Sequence, residues 1–434
     1  MRTSISSNLL LGLVSLLAVA TAGAESSPAE SSQGDLSQVG DVGPAPTDVN
    51  QLLSMDLSDR EATRLFEQAM ATILEEYQGA DVSEADLYVG ALVGMVDLLN
   101  GLERDQRGNP AKLSRNAVMT SSDAAYIDQM ALGRKTGIGI EFQANTAEGV
   151  LYITKVYAGS PAERSGGLRP GDIIVAIDGY ALQRRDLSEI LTLLRGDEGT
   201  PIGLSLRRPP SGYFNVVLTR EEYELPSVDI QMLDGQVGMM RINQFHGRTG
   251  AEARDRLTEL LGLGAESVVL DLRGNQGGLL SAVQEVASLF LSDGTVIARI
   301  QDAQGRGTDL LAAGPPVFSG PLVCLVNRWT SSGSELLTLA LQESDRARIV
   351  GDTTEGKAIT ESLFTMAPGV HLRLSSTAML GPLGTSWHNV GLRPDFLVQG
   401  IPQRIAPPGD DAWSTSDVQL IFAQELFLEP LPMP

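Results

Sequence analysis

Apolar residues recur every three or four positions between residues 58 and 100, which is the spacing of amphipathic helices. Ser58 and Glu61 have the spacing of a capping box, so the first helix is predicted to begin just after Ser58. Its apolar positions are Leu65, Phe66, Ala69, Met70, Ile73, Leu74 and Tyr77. A second helix is predicted over residues 83–100, whereas residues 102–130 are too polar and irregular for an element to be assigned. We therefore expect a small N-terminal helical region within residues 56–130.

The pattern changes between residues 136 and 222, where short apolar runs alternate with glycine and aspartate turns. A short helix is predicted to begin at Ser160, because Pro161 suits a first helical turn. Asp186 is predicted to cap a second helix. Strands are predicted over residues 137–142, 151–156, 172–177, 204–206 and 216–218. These elements predict a separate unit rich in strands.

Predicted strands and helices alternate along residues 227–400. The strands cover residues 237–242, 267–271, 296–300 and 322–326. Helices are predicted after Thr249, which can cap the first of them, over residues 279–291, and from about Ser334. Such alternation is typical of an α/β domain with helices packed over a sheet. Residues 401–434 are predicted to be a Pro-rich connector with a last short helix over residues 417–426.

The beginning of the chain has the pattern of a secretory signal peptide. Arg2 precedes an apolar segment too short to span a bilayer comfortably, and Ala22-Gly-Ala24 fits a cleavage site, so residues 1–24 are predicted to be removed. An uncleaved anchor is the alternative. Residues 25–55 are predicted to be a disordered linker, because they contain little to bury. The protein is therefore expected to be exported, and to be periplasmic or extracellular after cleavage.

Charge and composition narrow the classes of function. The formal net charge of −22 argues against nucleic acid or an anionic membrane as a partner, since both bind basic surfaces. The single cysteine, Cys324, lies in an apolar run and is predicted to be a buried structural thiol. The histidines, His246, His371 and His388, are scattered, so no dedicated zinc site is expected. A Ser/His/Asp triad is compatible with these counts.

The placement of lysine indicates a candidate base. Only four lysines occur, and Lys357 is the only one in the C-terminal half, 25 positions after Ser332. A desolvated lysine can lose its proton whereas arginine cannot, and a serine needs a base to become a nucleophile. Ser332 is predicted to lie at a helix N-terminus, where unpaired N–H groups favour developing negative charge. These features predict a Ser/Lys hydrolase. The alternative is that the hydroxyl residues here only cap the helix, namely Thr330, Ser331, Ser332 and Ser334.

A second segment of the predicted site is Asp271-Leu-Arg-Gly-Asn-Gln-Gly-Gly278, in which a buried strand ends in two glycines before a helix. Glycine lets backbone N–H groups approach a ligand closely. The N–H of Gly333 and that of either Gly277 or Gly278 are therefore predicted to form an oxyanion hole. A phosphate-binding loop is the alternative, but no Gly-Lys-Ser/Thr sequence follows.

Residues 136–222 resemble a PDZ domain. The resemblance rests on a Gly-Ile-Gly-Ile-Glu-Phe run, which stands where the family has its carboxylate-binding loop, and on Gly167-Leu-Arg-Pro-Gly-Asp-Ile-Ile-Val-Ala-Ile-Asp-Gly179. It implies that loop N–H groups bind the terminal carboxylate of a peptide, which adds as a strand beside the loop and the helix near Asp186. The candidate peptide-binding residues are Gly137, Ile138, Gly139 and Ile140. A dinucleotide fingerprint is a weak alternative, because the third glycine is missing.

Together the motifs resemble the carboxy-terminal processing proteases, also called tail-specific proteases. The similarity covers residues 58–100 and 136–426. Its motifs are residues 271–278, Thr330-Ser-Ser-Gly-Ser-Glu335, Gly351-Asp-Thr-Thr-Glu-Gly-Lys357 and Gly391-Leu-Arg-Pro-Asp395. The resemblance implies an α/β fold within a multidomain α+β chain: an N-terminal helical cap, a PDZ domain and a βα-alternating protease core with crotonase-like resemblance. It also implies that Ser332 is the nucleophile, that Lys357 is the general base, and that no metal, nucleotide or organic cofactor is needed.

Three residues depart from the family's pattern. Gly333 replaces the alanine after the nucleophile and keeps its N–H. Ala358 replaces the glycine that usually follows the lysine, and Glu361 replaces a glutamine that orients it. The last two changes bear on the turnover rate, and Glu361 joins Ser332 and Lys357 as a candidate catalytic-site residue.

The sequence therefore predicts an exported serine endopeptidase that recognises the C-terminal tails of proteins and cleaves peptide bonds with a Ser/Lys dyad. Its expected partners are protein or peptide substrates with exposed C-termini, while an adaptor or a homo-oligomer is left open. One alternative is a catalytically silent peptide-binding scaffold of the same fold, which Glu361 favours. The other is a crotonase-like acyl-ester hydrolase, which a tail-binding domain argues against.

Overall fold

The computed structural model of the protein describes residues 58–77, 82–102, 116–145, 148–399 and 417–428. The predicted signal peptide and linker and the connector over residues 401–416 lie outside these ranges. None of the helices within the described ranges is long and apolar enough to cross a bilayer.

Two helices open the described chain, α1 (Asp59–Glu76) and α2 (Glu84–Leu102). The predicted capping box is confirmed, since Glu61 accepts hydrogen bonds from the N–H and the hydroxyl of Ser58. Phe66 of α1 contacts Tyr88 of α2 through their rings. The predicted apolar face of α1 is largely exposed, however, and Met70 is its buried member.

A strand and a helix follow where no element was predicted, β1 (Ala117–Thr120) and α3 (Ser121–Ala131). Thr120 and Asp123 form a capping box at the start of α3, and the Thr120 side chain accepts from the Asp123 N–H. This short local signal lies in a polar stretch and was missed because the apolar period around it is weak.

Residues 134–224 form a small β domain. The two-stranded ribbon of β2 (Arg134–Gly137) and β9 (Glu221–Glu224) joins it to the rest of the chain. Its sheet has the order β3-β4-β5-β7-β8, and β6 pairs with β5. The strands are β3 (Ile140–Asn145), β4 (Val150–Val156), β5 (Ile173–Ile177), β6 (Tyr180–Ala181), β7 (Pro201–Arg208) and β8 (Gly212–Thr219).

Two helices complete this domain, α4 (Pro161–Arg164) and α5 (Leu187–Leu194). Asp186 caps α5 as predicted, by accepting a hydrogen bond from the Glu189 N–H at 2.8 Å. Ile190 of α5 is buried in the same core as Leu151 and Ile174 of the sheet. Strand β3 lies at the end of the sheet order, so its outer edge faces no further strand among the described residues.

The largest domain is built on a six-stranded sheet with the order β10-β11-β12-β15-β16-β19. The antiparallel β10 lies at one edge, and the other strands run parallel. The strands are β10 (Val228–Met232), β11 (Val237–Ile242), β12 (Ser267–Asp271), β15 (Leu322–Val326), β16 (Arg348–Gly351) and β19 (Phe396–Leu397). The helices are α6 (Thr249–Gly262), α7 (Leu280–Ala287), α8 (Gly333–Glu343) and α9 (Val418–Leu428).

Helices cover both faces of this sheet, so its central strands are buried on both sides. Val268 and Leu270 of β12 pack in one core with residues of α6, α7 and α8. Val269, between them, faces the opposite core, which includes Leu420 of α9. The predicted α/β fold is thereby confirmed.

A second sheet in this domain was not predicted. Its order is β1-β18-β13-β14, and β17 pairs with β18. Its strand β13 (Val296–Asp302) was predicted over residues 296–300, whereas β14 (Gly307–Leu311), β17 (Ile359–Ala367) and β18 (Val370–Leu380) were not predicted. The hairpin of β17 and β18 begins two residues after Lys357, and this position makes the sheet relevant to the site.

Two helix predictions need correction. Thr249 does not cap α6, because Arg248 is the capping residue and the Thr249 hydroxyl binds the His246 N–H and the Gln244 carbonyl instead. Helix α7 ends at Ala287 rather than Leu291. Ser288 follows it, and its hydroxyl donates to the Gln284 carbonyl.

Candidate active site

Ser332 lies on a tight turn between β15 and α8. Its φ of 53° and ψ of −119° lie outside the usual regions for a residue with a side chain, a form of strain found at functional turns. Thr330, two residues before Ser332, fixes the turn, because its hydroxyl accepts from Asn327 N and donates to Leu272 O. The predicted position at a helix N-terminus is therefore confirmed.

Burial separates Ser332 from the other hydroxyl residues of the turn. Thr330, Ser331 and Ser334 are fully buried, whereas Ser332 is partly exposed. The hydroxyl groups of Ser331 and Ser334 have no hydrogen-bond partner among the described residues, so they do not cap α8. Of these four residues, Ser332 is the one a substrate can reach.

Glu335, whose role no motif indicated, connects Ser332 to the lysine loop, residues 352–358, which carries Lys357. One carboxylate oxygen, Oε2, accepts from Ser332 N and from Lys357 N, both at 2.8 Å. The other, Oε1, accepts from Gly356 N and from the Thr354 hydroxyl. The backbone nitrogens of Ser332 and Lys357 are thus no farther apart than twice the length of one hydrogen bond. The acid three residues after Ser332 was the available signal, because it has the capping-box spacing.

The charge on Glu335 is affected by two opposing effects. Burial raises the pKa of the Glu335 carboxyl above its usual range, while its hydrogen bonds from Thr354, Gly356, Lys357 and Ser332 favour the ionised form. The same four donors fix the carboxylate in place. Glu335 therefore acts as a rigid connection between the Ser332 turn and the lysine loop.

Lys357 and Glu361 form a buried ion pair. Lys357 is 1 % exposed, Glu361 is 6 % exposed, and 2.6 Å separate Nζ from Oε1. Glu361 lies on β17 beside an irregularity, since Thr360 pairs with Thr377 but Glu361 pairs with Ser375. Such a bulge re-aims side chains, and here two consecutive residues of the strand, Thr360 and Glu361, are buried. The structure thus brings Lys357 and Glu361 together.

Gly277 and Gly278, the loop glycines of the predicted oxyanion hole, lie against the turn that carries Ser332 and Gly333. A Cβ atom placed on Gly277 would lie 2.7 Å from Gly333 N and 3.0 Å from Ser332 Cβ. One placed on Gly333 would lie 3.5 Å from Gly278 N. At Gly277, no side chain larger than hydrogen fits between these segments without a shift. Gly277, Gly278 and Gly333 are therefore brought together as predicted.

The N–H groups of Gly277, Gly278 and Gly333 differ in whether the protein itself supplies a hydrogen-bond acceptor. Gly277 N donates to the Asn275 side chain at 2.9 Å. Gly278 N and Gly333 N have no acceptor among the residues that the structure describes. Unpaired backbone donors in a buried site are rare, so these two groups are the ones available to a ligand.

A cluster of charged and polar side chains lies next to the glycine loop, residues 274–278. Arg273 forms a two-pronged ion pair with Asp271, and it also reaches Asp417 at 2.8 Å and Gln419 at 3.2 Å, at the start of α9. Burial opposes ionisation of Asp271, but the Arg273 guanidinium outweighs it and lowers the pKa of that carboxyl. The motif of residues 271–278 is thereby anchored to the last described helix.

The candidate peptide-binding residues, Gly137 to Ile140, lie where β2 ends and β3 begins in the β domain. Gly139 has a φ of 79°, and a Cβ atom there would overlap Ser160. The carbonyls of Ile138 and Gly139 are taken by the N–H groups of Ala162 and Tyr157. Their own N–H groups have no acceptor within the described ranges, and the loop leads directly into the open edge of β3.

Cys324 and the histidines bear on the remaining predictions. Cys324 is fully buried, and burial raises the pKa of its thiol, as expected for a structural cysteine. His388 contacts the lysine loop, where its Nδ1 accepts the Ala358 N–H at 3.3 Å. Among the described residues, no group of three or more histidine, cysteine or acidic side chains is placed to hold a metal ion.

Comparison with protein families gives two matches. Residues 236–398 match peptidase family S41, and residues 152–208 match the PDZ domain. The first segment contains Ser332, Lys357 and the glycine loop, and the second lies in the small β domain.

Comparison with individual proteins indicates the same family. The chain is 34 % identical over 301 residues to a carboxyl-terminal-processing protease of a Picosynechococcus species, covering 68 % of this chain and 71 % of that protein. It is 28 % identical over 339 residues to the carboxy-terminal processing protease CtpA of Bacillus subtilis, covering 78 % and 69 %. A solved structure of an S41 protease from Bacteroides fragilis has a TM-score of 0.52 at 17 % identity, covering 83 % and 97 %, and so supports the fold alone. The chain therefore belongs to the carboxyl-terminal-processing proteases, serine proteases of peptidase family S41 with a PDZ domain.

Proposed function

We propose that this protein is an exported endopeptidase that binds the C-terminal tails of its substrates and cleaves them with a Ser332–Lys357 dyad. The observation that carries the dyad is the shared oxygen of Glu335, which holds the backbone of the nucleophile and the backbone of a buried lysine. Peptide hydrolysis, the reaction of the S41 family, replaces the acyl-ester alternative. Export rests on the pattern of residues 1–24, and N-terminal sequencing of the protein outside the cytoplasm tests it.

The proposed reaction uses groups present in this chain. The neutral amine of Lys357 takes the proton of the Ser332 hydroxyl as the oxygen attacks the peptide carbonyl. The N–H groups of Gly333 and Gly278 stabilise the negative oxygen of the tetrahedral intermediate. The lysine ammonium then gives its proton to the leaving amine. Water, activated by the same amine, hydrolyses the acyl-enzyme and releases the second product.

Glu361 is expected to set the pH dependence of this reaction. Its ionised carboxylate, 2.6 Å from Nζ, stabilises the ammonium form of Lys357, which cannot accept a proton. Activity should therefore rise with pH into the alkaline range. In Glu361→Gln the adjacent negative charge is gone, so the lysine loses its proton more readily, and the rising limb should move down by about one pH unit or more.

The measurement is the pH profile of kcat/KM for both proteins, which reports ionisations of the free enzyme. Glu285→Gln is the matched control, because Glu285 is exposed on α7 of the same domain and the change in net charge is identical. Superimposable profiles for wild type and Glu361→Gln would remove Glu361 from the mechanism.

The PDZ domain is expected to bind free C-termini through the loop at Gly139. In the full-length Ser332→Ala protein, a labelled peptide with an apolar free C-terminus should bind about 10- to 100-fold more tightly than its amidated form. The reason is that hydrogen bonds to a charged group contribute about 1.5–3 kcal/mol. Fluorescence anisotropy measures both affinities. Equal affinities would contradict tail recognition, and Gly139→Val, whose side chain would overlap Ser160, should remove the preference.

The buried ion pair also supports the second candidate function, a silent peptide-binding scaffold. A lysine held permanently as an ammonium is no base. If neither the wild type nor Glu361→Gln cleaves an unstructured protein with an apolar tail at any pH, while tail binding persists, the scaffold function replaces the protease.

A further inference from the structure

We propose that Asn275 is a positioning residue that selects Gly278, rather than Gly277, as the second oxyanion donor. This inference rests on the proposed function, because it concerns the same reaction. Both polar atoms of the Asn275 side chain are bound to backbone groups, those of Ile242 and Gly277. It acts through the two glycines that follow it.

Asn275 joins three segments of the site. It is fully buried, and its side-chain amide donates to the carbonyl of Ile242, the last residue of β11, at 2.8 Å. Its side-chain oxygen accepts from Gly277 N at 2.9 Å. Its main-chain carbonyl accepts from Ser331 N, next to the nucleophile, at 3.0 Å. All of these contacts are direct hydrogen bonds, and together they hold the residue in one orientation.

The first consequence is that Gly277 cannot serve as a donor. Its N–H is turned back to the Asn275 side chain and is satisfied there. The carbonyl of Gly277 accepts from Phe245 N at 3.0 Å. Both polar groups of Gly277 are therefore occupied by the protein.

The second consequence concerns the next peptide group. In a trans peptide the C=O and the following N–H point in opposite directions. Because the Gly277 carbonyl points to Phe245, the Gly278 N–H points away from Phe245. Gly333 lies close to this N–H group, since a Cβ atom on Gly333 would lie 3.5 Å from Gly278 N. Gly277 is thus held at its N–H by Asn275 and at its carbonyl by Phe245, and this orientation leaves the Gly278 N–H as the unpaired donor beside the Ser332 turn.

The experiment compares full-length wild type with Asn275→Ala, using a fluorogenic peptide and a peptide aldehyde inhibitor. The aldehyde forms a tetrahedral adduct with a nucleophilic serine, and its oxygen needs the same two donors. In Asn275→Ala we expect kcat to fall about 100-fold and the aldehyde to bind about 100-fold more weakly, the loss typical of one oxyanion donor. KM and the affinity for a free C-terminal tail should stay within threefold. Asn243→Ala, an exposed asparagine that follows β11, is the matched control and should change nothing.

Asn275→Asp provides a second test if the alanine variant fails to fold. The aspartate keeps an acceptor for Gly277 N, but its second oxygen repels the Ile242 carbonyl until it is protonated. The activity of this variant relative to wild type should therefore increase as the pH falls, together with its relative affinity for the aldehyde.

The outcomes separate this inference from the proposed function. If wild type cleaves in a Ser332-dependent way but the folded variants keep its kcat and its aldehyde affinity, the positioning role is wrong and the protease stands. If wild type neither cleaves nor binds the aldehyde, both proposals are overturned.

Discussion

Alanine in place of Ser332 is expected to abolish proteolysis, with kcat falling by about 10⁶-fold, as when the nucleophile of a serine protease is removed. Ser332 is the partly exposed hydroxyl of the turn, and the neighbouring serines are buried too deeply to replace it. Cleavage of a fluorogenic peptide measures the loss, and thermal unfolding confirms that the fold is kept. Activity within tenfold of wild type would show that Ser332 is not the nucleophile.

Lys357→Arg belongs to the same prediction. A guanidinium keeps its proton at every useful pH, so it cannot accept the proton of Ser332. The loss should reach at least about 10²–10⁴-fold, the usual contribution of a general base. Lys155→Arg is the matched control, since Lys155 lies over the Tyr157 ring in the PDZ domain, outside the protease core. Normal cleavage by Lys357→Arg would contradict the dyad.

Glu335→Ala is expected to lower both stability and activity. The substitution leaves the N–H groups of Ser332, Gly356 and Lys357 without their buried acceptor. Each unsatisfied buried group costs about 1–3 kcal/mol, so the free energy of unfolding should fall by about 3 kcal/mol or more. The loops that carry the dyad are then no longer held together, and kcat should fall at least about 100-fold, because small displacements of reacting groups cost that much.

Urea unfolding and peptide cleavage measure the two effects. Glu343→Ala at the opposite end of α8 is the matched control, because Glu343 also accepts hydrogen bonds from a loop, at Leu383 and Thr385, but is partly exposed. Its variant should lose no more than about 1 kcal/mol and keep its kcat. An active, stable Glu335→Ala protein would show that the shared carboxylate is dispensable.

The central strands were predictable because of their burial. Strands β11, β12 and β15 match the predicted ranges, since parallel strands covered on both faces appear in the sequence as continuous apolar runs. The hairpin of β17 and β18 was missed because it is half-buried along most of its length and rich in Ser and Thr, so it has neither an apolar run nor a clear alternation.

The candidate site could be predicted only where a short, continuous sequence motif marks it. Ser332, Lys357, Glu361 and the glycines were all singled out from short segments. The structure places the glycines against Ser332, pairs Lys357 with Glu361, and links the backbones of Ser332 and Lys357 through Glu335. Glu335, Asn275 and the pairing of Arg273 with Asp417 were missed, because their roles depend on contacts between distant parts of the chain. The choice between Gly277 and Gly278 likewise depends on a hydrogen bond that no spacing reveals.

The ion pair between Arg273 and Asp417 has a consequence for biosynthesis. Residue 273 emerges from the ribosome 144 residues before its partner, and α9, which covers one face of the central sheet, emerges with that partner. During this interval the guanidinium lacks one of its two acids and the apolar face under α9 is bare. The segment of residues 271–278 therefore gains its last ion-pair partner only after nearly all of the described chain has been made.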